Sequence, residues 1–205
     1  MNFYKQLIRP FLFSFNPERA HCLTFLSLRV FKPFLKILFP TDIINSNSIE
    51  LFGLKFEHPI GLAAGLDKDG KVFSSLAKVG FSFIELGTVT PKPQPGNPKP
   101  RSFRLPIDKA LINRMGFNNL GVDQLVERLK HKPSGIIIGG NIGKNTNTPN
   151  EKAKDDYLYC FQKLYGYVDY FVVNVSCPNI KDLKDLQDKD NLLQILQTIM
   201  QDRDG

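Results

Sequence analysis

Apolar residues at Phe3, Tyr4, Leu7, Ile8, Phe11, Leu12 and Phe15 return at helical spacing, with Lys5 and Arg9 off that stripe. The spacing predicts an amphipathic helix over 3–15. The stretch FNPERAH (15–21) then restarts a helix: Asn16 can cap it, Pro17 suits the first helical position, and Glu18 favours the positive end of the dipole. Two short amphipathic helices follow, separated near residue 16. From about residue 49 the rhythm changes to short apolar runs alternating with helical stretches. IGLAAG (60–65), FSFIELG (81–87), GIIIGGN (135–141) and YFVVNVS (170–176) read as strands, and 69–79, 119–131, 151–165 and 189–201 as the helices between or after them.

Such βαβα alternation implies a parallel sheet, either open and doubly wound or closed into a (β/α) barrel. The polar residues favour the barrel. They gather just after each strand: Asp67 and Lys68, Thr88 and Thr90, Asn141 and Lys144, and Asn174 through Asn179. Barrels build their active sites on that carboxyl-terminal face from several strands. No G-x-G-x-x-G opens the first helix, which counts against a dinucleotide-binding open sheet. A full barrel has eight units and typically ~250 residues, whereas four units fit here. The expected fold class is therefore α/β, a (β/α)8 TIM barrel represented by about its first half, with an N-terminal helical region at 1–45 and the half-barrel at 46–205. The chain is expected to be the N-terminal part of a longer protein.

Composition supports a single sizeable core, with 205 residues of which 42% are hydrophobic. Cys22, Cys160 and Cys177 lie far apart, with no C-x-x-C and no histidine spaced to complete a zinc site, so neither a disulfide framework nor a metal is expected. A reducing compartment fits best. The net charge of +7 is unevenly spread. Residues 1–40 carry Lys5, Arg9, Arg19, Arg29, Lys32 and Lys36 against a single acid, Glu18, and hold nearly half of the 17 phenylalanines. Two readings stay open: an anchor pressed into a lipid headgroup region, or a helix pair covering part of the core. No uninterrupted apolar run approaches the ~18 residues needed to span a bilayer. Charges interrupt the apolar stretch and no small-residue cleavage site follows it, so a cleavable signal peptide is not predicted.

Several segments combine chemistry with a position at a strand end. In AAGLDKDG (63–70), Ala63, Ala64 and Gly65 let a flat ring or phosphate approach the backbone, and Lys68 offers a cation; a tight βα turn with solvated charges is the plainer alternative. GTVTPKPQPGNPKPRSFRLP (87–106) reads as a long proline-stiffened loop bearing Lys92, Lys99, Arg101 and Arg104. INRMGFNN (112–119) sets Asn113, Asn118 and Asn119 around Arg114, and amides suit a ligand bearing both carbonyls and ring N–H groups. GGNIGKNTNTP (139–149) again places an asparagine and a lysine after a strand. In 170–176, alternation turns Phe171, Val173 and Val175 to the helices and Val172, Asn174 and Ser176 inward, leaving Cys177 at the loop entrance. Pro178 biases Cys177 away from helical geometry.

GLAAGLDKDG, GTVTPKPQPGNPKPRSFRLP, INRMGFNNLG, NIGKN, KDDY and NVSCPN, in that order, resemble the successive signatures of dihydroorotate dehydrogenase, specifically the class 2, membrane-associated, quinone-reducing branch. The likeness covers essentially the whole chain, including NPERAH in the N-terminal helices.

The resemblance implies an FMN-containing barrel that oxidises (S)-dihydroorotate to orotate in pyrimidine synthesis and passes electrons to a quinone. It implies FMN contacts at Ala64, Gly65, Leu66, Asp67, Lys68, Thr88, Asn141 and Asn174. Substrate contacts are implied at Lys68, Asn113, Arg114, Met115, Gly116, Phe117, Asn174 and Asn179, with Cys177 as the catalytic base. His21 and Arg104 match positions lining a quinone path, although the residues alone favour a helix-surface role for His21. The implied location is peripheral, at the cytoplasmic face of the inner membrane through the N-terminal helices, with no nucleic-acid partner. Serine is usual in the quinone branch where this chain has Cys177, while cysteine is the habit of the soluble class 1 enzymes. Class 1 enzymes using fumarate or NAD, and an inactive half-barrel with only a binding role, are the competing expectations. Later strands would supply a further lysine and a glycine-rich phosphate site, so the 205-residue chain alone is expected to hold FMN weakly and to be inactive.

Overall fold

The computed structural model describes residues 3–39, 48–180 and 182–204. The expected boundary at residues 45 and 46 lies outside the described residues.

The first segment is helical, as its spacing predicts, but it is not one regular helix over 3–15. Tyr4–Ile8 form a π-helical turn and Arg9–Phe13 form α1. Pro10 falls in the first turn of α1, where its missing N–H interrupts the regular ladder. Helix α2 (Pro17–Val30) starts where the capping signal put it: the Asn16 side-chain oxygen accepts from the Arg19 N–H at 2.8 Å. A 3-10 turn at Lys32–Phe34 leads into α3 (Leu35–Leu38). Ala20 and Leu35 are buried and Phe25 and Leu28 pack on the main core, whereas Phe3, Leu7, Phe11, Leu26, Val30 and Phe31 are exposed. The segment therefore both covers part of the core and keeps a second apolar face outward.

A small hairpin, β1 (Ile49–Leu51) and β2 (Leu54–Phe56), precedes the βα units. Their helices and strands are α4 (Phe73–Leu76), β3 (Phe83–Val89), α5 (Val122–Leu129), β6 (Ile137–Ile142), α6 (Ala153–Leu164), β7 (Tyr170–Val173) and α7 (Lys189–Asp204); β4 (Ser102–Leu105) and β5 (Ala110–Asn113) fall between β3 and α5. Strands β3, β6 and β7 form one parallel sheet in that order, with Leu86 opposite Gly140 and Gly140 opposite Phe171. The expected strand at 60–65 contracts to a parallel bridge between Leu62 and Ile84, flanked by Gly65 N–H to the Gly87 carbonyl at 2.9 Å. The small residues there offer little to pack, and Gly65 adopts φ +110, which ends extended pairing. Neighbours thus follow chain order without the reversal that a doubly wound sheet requires. This is a section of barrel wall; the described residues form an open sheet and not a closed barrel.

Two further expectations change. The helix expected over 69–79 starts late, at Phe73, because Gly70 at φ +68 and the extended φ of −137 at Val72 keep the preceding residues in a turn; it runs on as α4 and a 3-10 turn at Ala77–Val79 and ends as expected, at Gly80 with φ +107. The long loop over 87–106 is not loop throughout: its last residues are β4, paired antiparallel with β5 from Ser102 opposite Asn113 to Leu105 opposite Ala110.

Alternation fixes which side of the sheet is dry. Ile84, Leu86 and Ile138 are fully buried and share a core with Val122, Leu125 and Leu129 of α5 and Tyr157, Cys160, Phe161 and Leu164 of α6. Val122, Leu125 and Leu129 recur at the spacing of a single helix face. Phe171 points to the helices, its ring 4.7 Å from that of Phe161. Burying each such side chain contributes about 1.5–3 kcal/mol, so this layer holds the strands in register and their carboxyl ends in place.

Candidate active site at the carboxyl ends of the parallel strands

Three strand ends deliver three polar side chains to one point. Thr88 is in β3, Asn141 in β6 and Asn174 follows β7. The Thr88 hydroxyl donates to Asn141 Oδ1, and Asn174 Nδ2 donates to Thr88 Oγ1 at 2.7 Å and to Asn141 Oδ1 at 3.4 Å. Asn174 thus points inward, as its parity requires. Asn141 Nδ2 donates to Glu85 at 2.9 Å, and the Tyr170 hydroxyl donates to the other oxygen of Glu85 at 3.5 Å. Burial, with the Glu85 charge, pushes the Tyr170 phenol up to about 12. Glu85 is a carboxylate on the inner face that the sequence reading passed over. The signal was present, because Glu85 lies between the buried Ile84 and Leu86 in a strand whose faces alternate.

The segment after Leu62 reaches the same end of the sheet. Its carboxylate and its ammonium have different tasks. Asp67 is buried and accepts from the backbone N–H groups of Lys71 and Val72, both at 2.7 Å, so its oxygens are committed to shaping the turn into α4. Burial raises its carboxyl pKa, against the pull of those N–H donors. Leu66 is exposed, and Gly65 presents backbone with open space where a Cβ would sit. Lys68 Nζ donates to Asn118 Oδ1 at 2.7 Å. Burial, followed by the Arg101 charge, lowers the Lys68 ammonium to about 8, while Asp69, Cys177 and Glu18 pull the other way. That coupling places Cys177 within electrostatic reach of Lys68. Cys177 is half-buried against the core edge, and its carbonyl accepts from the Ile180 N–H at 3.4 Å.

The INRMGFNN stretch divides. Gly116 and Phe117 are buried with φ of +69 and +51, turning the chain inward beside Lys68 and Asn118. Asn119 is a buried latch, donating to the Thr90 hydroxyl at 2.9 Å and to the Phe117 carbonyl at 2.6 Å. Asn145, which the sequence reading did not single out, joins that latch by donating to the Lys92 carbonyl at 2.8 Å and to Gln94 at 3.0 Å. Asn113 and Arg114 are exposed at the end of β5, and Arg114 donates twice to the Pro100 carbonyl, at 3.0 and 3.2 Å. Met115 and Asn179 are half-buried. The structure thus gathers Lys68, Thr88, Asn141, Asn174 and Cys177 at the strand ends and turns the Arg114 guanidinium to the proline-rich loop.

The N-terminal helices are tied to this face. Arg101 is buried and bridges Glu18 of α2 at 3.1 Å while donating to the Pro95 carbonyl at 2.7 Å. Arg104 donates to the Phe15 carbonyl at 2.7 Å and lies over the Phe13 ring at 4.2 Å, so it closes the carboxyl end of α1. His21 stacks on Phe25 with ring centroids 4.1 Å apart. Its imidazole keeps an exposed edge, yet its pKa falls below 6.5, first through desolvation by its neighbours and then through the Lys68 and Lys71 charges. His21 therefore faces the Lys68 segment.

A barrel wall that carries amides, a hydroxyl, an ammonium and a thiol on its carboxyl-terminal face has the layout of a barrel-type enzyme. The sequence profile of the dihydroorotate dehydrogenase family matches residues 47–204, and the chain belongs to that family. Among curated relatives, the dihydroorotate dehydrogenase (quinone) of Christiangramia forsetii is 55% identical across 96% of this chain and 59% of its own length. The protein of the same description from Acinetobacter baylyi is 53% identical across 94% of this chain and 57% of its own. The ligand-free DHODH of Eimeria tenella superposes with a TM-score of 0.80 at 38% identity, covering 93% of this chain and 54% of that one. Its crystal structure in complex with ferulenol gives 0.78 at 39% identity, over 91% of this chain and 50% of that one. The chain thus spans a little over half the length of the relatives it matches.

Proposed function

We propose that this protein oxidises (S)-dihydroorotate to orotate in de novo pyrimidine synthesis, with FMN as hydride acceptor and a membrane quinone as final acceptor. The carrying observation is the convergence of Lys68, the Thr88–Asn141–Asn174 cluster and Cys177 at one end of a parallel sheet, in a chain whose curated relatives are described as quinone enzymes.

The donor set suits FMN. Amide and hydroxyl groups of Thr88, Asn141 and Asn174 and the Lys68 ammonium can meet the carbonyls and nitrogens of a flat heteroaromatic ring, and the backbone at Ala64–Gly65 is open enough for close approach. Bound FMN would accept the hydride that leaves C6 of dihydroorotate. The chain's own residues supply the rest. Cys177, as the base, takes the proton from C5, which the adjacent carbonyl acidifies. Amides of Asn113, Asn174 and Asn179 pair with the pyrimidine carbonyls and N–H groups and exclude water. In this reading Asp67 acts through its turn, by fixing where Lys68 leaves the backbone. His21 on α2, which faces the Lys68 segment, and Arg104, which holds the end of α1, would border the approach of a quinone from a membrane. Peripheral attachment at the cytoplasmic face, through the outward apolar residues of the first segment, is part of this reading; among the described residues no helix is long and apolar enough to cross a membrane.

The test joins residues 1–205 to the remaining length of the C. forsetii relative and compares dihydroorotate-dependent reduction of a ubiquinone analogue, fumarate and NAD. Bound flavin and a clear preference for the quinone are expected. Turnover with fumarate or NAD at equal or higher rate would instead support a class 1-type enzyme, the reading that Cys177 favours. No dihydroorotate-dependent reduction of any acceptor would refute the proposal.

A further inference from the structure

A second polar site lies away from the strand ends, on the seam between the N-terminal helices and the body. Arg29 of α2, Lys32 of the following turn, Lys71 just before α4 and Ser74 within it, and Arg128 and His131 at the end of α5 line a cleft of about 390 Å³. The seam is built, not accidental: Lys78 donates to the Lys32 carbonyl at 3.3 Å, and Arg128 donates to the Asp69 carbonyl at 2.7 Å. The charges in it are poorly compensated. Lys71 pairs with Asp69 at 2.9 Å, but among the described residues no salt bridge reaches Arg29, Lys32 or Arg128. Two guanidinium groups, two ammonium groups and a hydroxyl around one hollow suit a tetrahedral oxyanion, which guanidinium forks grip bidentately.

The surroundings say what carries the anion. On the same helix and turn, Leu26, Val30, Phe31 and Phe34 are 51–60% exposed, an apolar strip whose members each lie within three residues of Arg29 or Lys32 in the chain. A soluble phosphate has no use for that strip, whereas a phospholipid lays acyl chain on it while its phosphodiester enters the cleft. We propose that the seam cleft is a binding site for the phosphodiester headgroup of an anionic phospholipid, with residues from the body as well as from the helices as its ligands. Membrane contact would then clamp α2 against the body, beyond holding the chain at the surface. Lipid occupancy needs no turnover, so the site is tested independently of the dehydrogenase reading.

The experiment is co-sedimentation of residues 1–205, joined to the remaining length of the C. forsetii relative, with phosphatidylcholine vesicles with and without phosphatidylglycerol. Two double variants each remove two charges from the first segment: Arg29→Gln with Lys32→Gln in the cleft, and Lys5→Gln with Arg9→Gln outside it. Lys32→Gln leaves the backbone carbonyl that Lys78 uses, and circular dichroism of both variants confirms the fold. Surface charges are drawn diffusely to an anionic membrane, so a purely general effect lowers the phosphatidylglycerol-dependent partition by similar factors in both. The cleft pair is expected to lose at least three times the factor lost by the control pair, and a smaller difference overturns the proposal. A calorimetric titration with inorganic phosphate separates the source. Phosphate heat that vanishes in the cleft variant while its vesicle partition matches the control pair would assign the site to a free phosphate and overturn the lipid.

Discussion

Lys68 is the residue whose environment departs most usefully from its reference state. Its ammonium is lowered to about 8, mainly by burial and secondarily by Arg101, so it is charged at neutral pH and loses that charge as pH rises through about 8. An anionic substrate held by it should bind progressively less well above that pH. In the completed enzyme the KM for dihydroorotate is expected to climb above pH 8, and Lys68→Gln should bind weakly at every pH with no inflection there. A KM profile of the variant that still breaks near pH 8 would move the titration to another group. Cys177 belongs to the same scale. Serine there, whose hydroxyl ionises far less readily than a thiol, should retain turnover but carry the pH optimum upward. An unchanged pH–rate profile would mean that the thiol is not the titrating base. Both residues stand out in the sequence by chemistry and by position after a strand, whereas their mutual influence depends on two loops more than a hundred residues apart.

At the scale of elements, α6 does more than cover the sheet. Tyr157 has its ring fully buried in the core, and its hydroxyl donates to the Asn174 carbonyl at 2.8 Å, so the helix reaches over the end of β7 and pins the start of the Cys177 loop. Tyr157→Phe keeps the ring and removes that bond. A loss of about 1 kcal/mol is expected, seen as a drop in Tm of roughly 2–4 °C for a chain of this size, and a Tm unchanged within error would show that water replaces the bond. Helical periodicity revealed the stripe that buries α6 and α5. It could not reveal that one member of the stripe carries a hydroxyl aimed at a loop, because a buried tyrosine and a buried phenylalanine give the same pattern. The β4–β5 hairpin escaped for a related reason. Its proline-rich approach has the composition of a loop, and only pairing with 110–113, a contact across a turn, makes Ser102–Leu105 extended.

For the whole molecule, the seam between the first segment and the body rests on few polar contacts, of which Glu18 with Arg101 is the most buried. The side chains are 22% and 10% exposed, so water screens the pair weakly. Glu18→Gln leaves the guanidinium with the Pro95 and Asn97 carbonyls but no carboxylate, at a cost of about 1–3 kcal/mol. The expected readout is local: amide hydrogen exchange should quicken across α2 and stay unchanged in α5 and α6. Uniform quickening would mean that the seam and the core open as one unit.

By itself the sequence determined the alternation of strands and helices, the helix start at Asn16, the inward parity of Asn174 and the family signatures at each strand end. Those properties are local, since they follow from spacing, capping and residue type within a few positions. Tertiary structure decided that Asp67 caps a turn, that Glu85 joins the polar cluster, that Arg104 closes α1 and Arg114 leans on the proline-rich loop, and that five basic groups meet across the seam. Each of these depends on which distant backbone lies within hydrogen-bond or Coulombic range. A polar side chain's partner is set by packing of elements far apart in the chain, and periodicity carries no information about that distance.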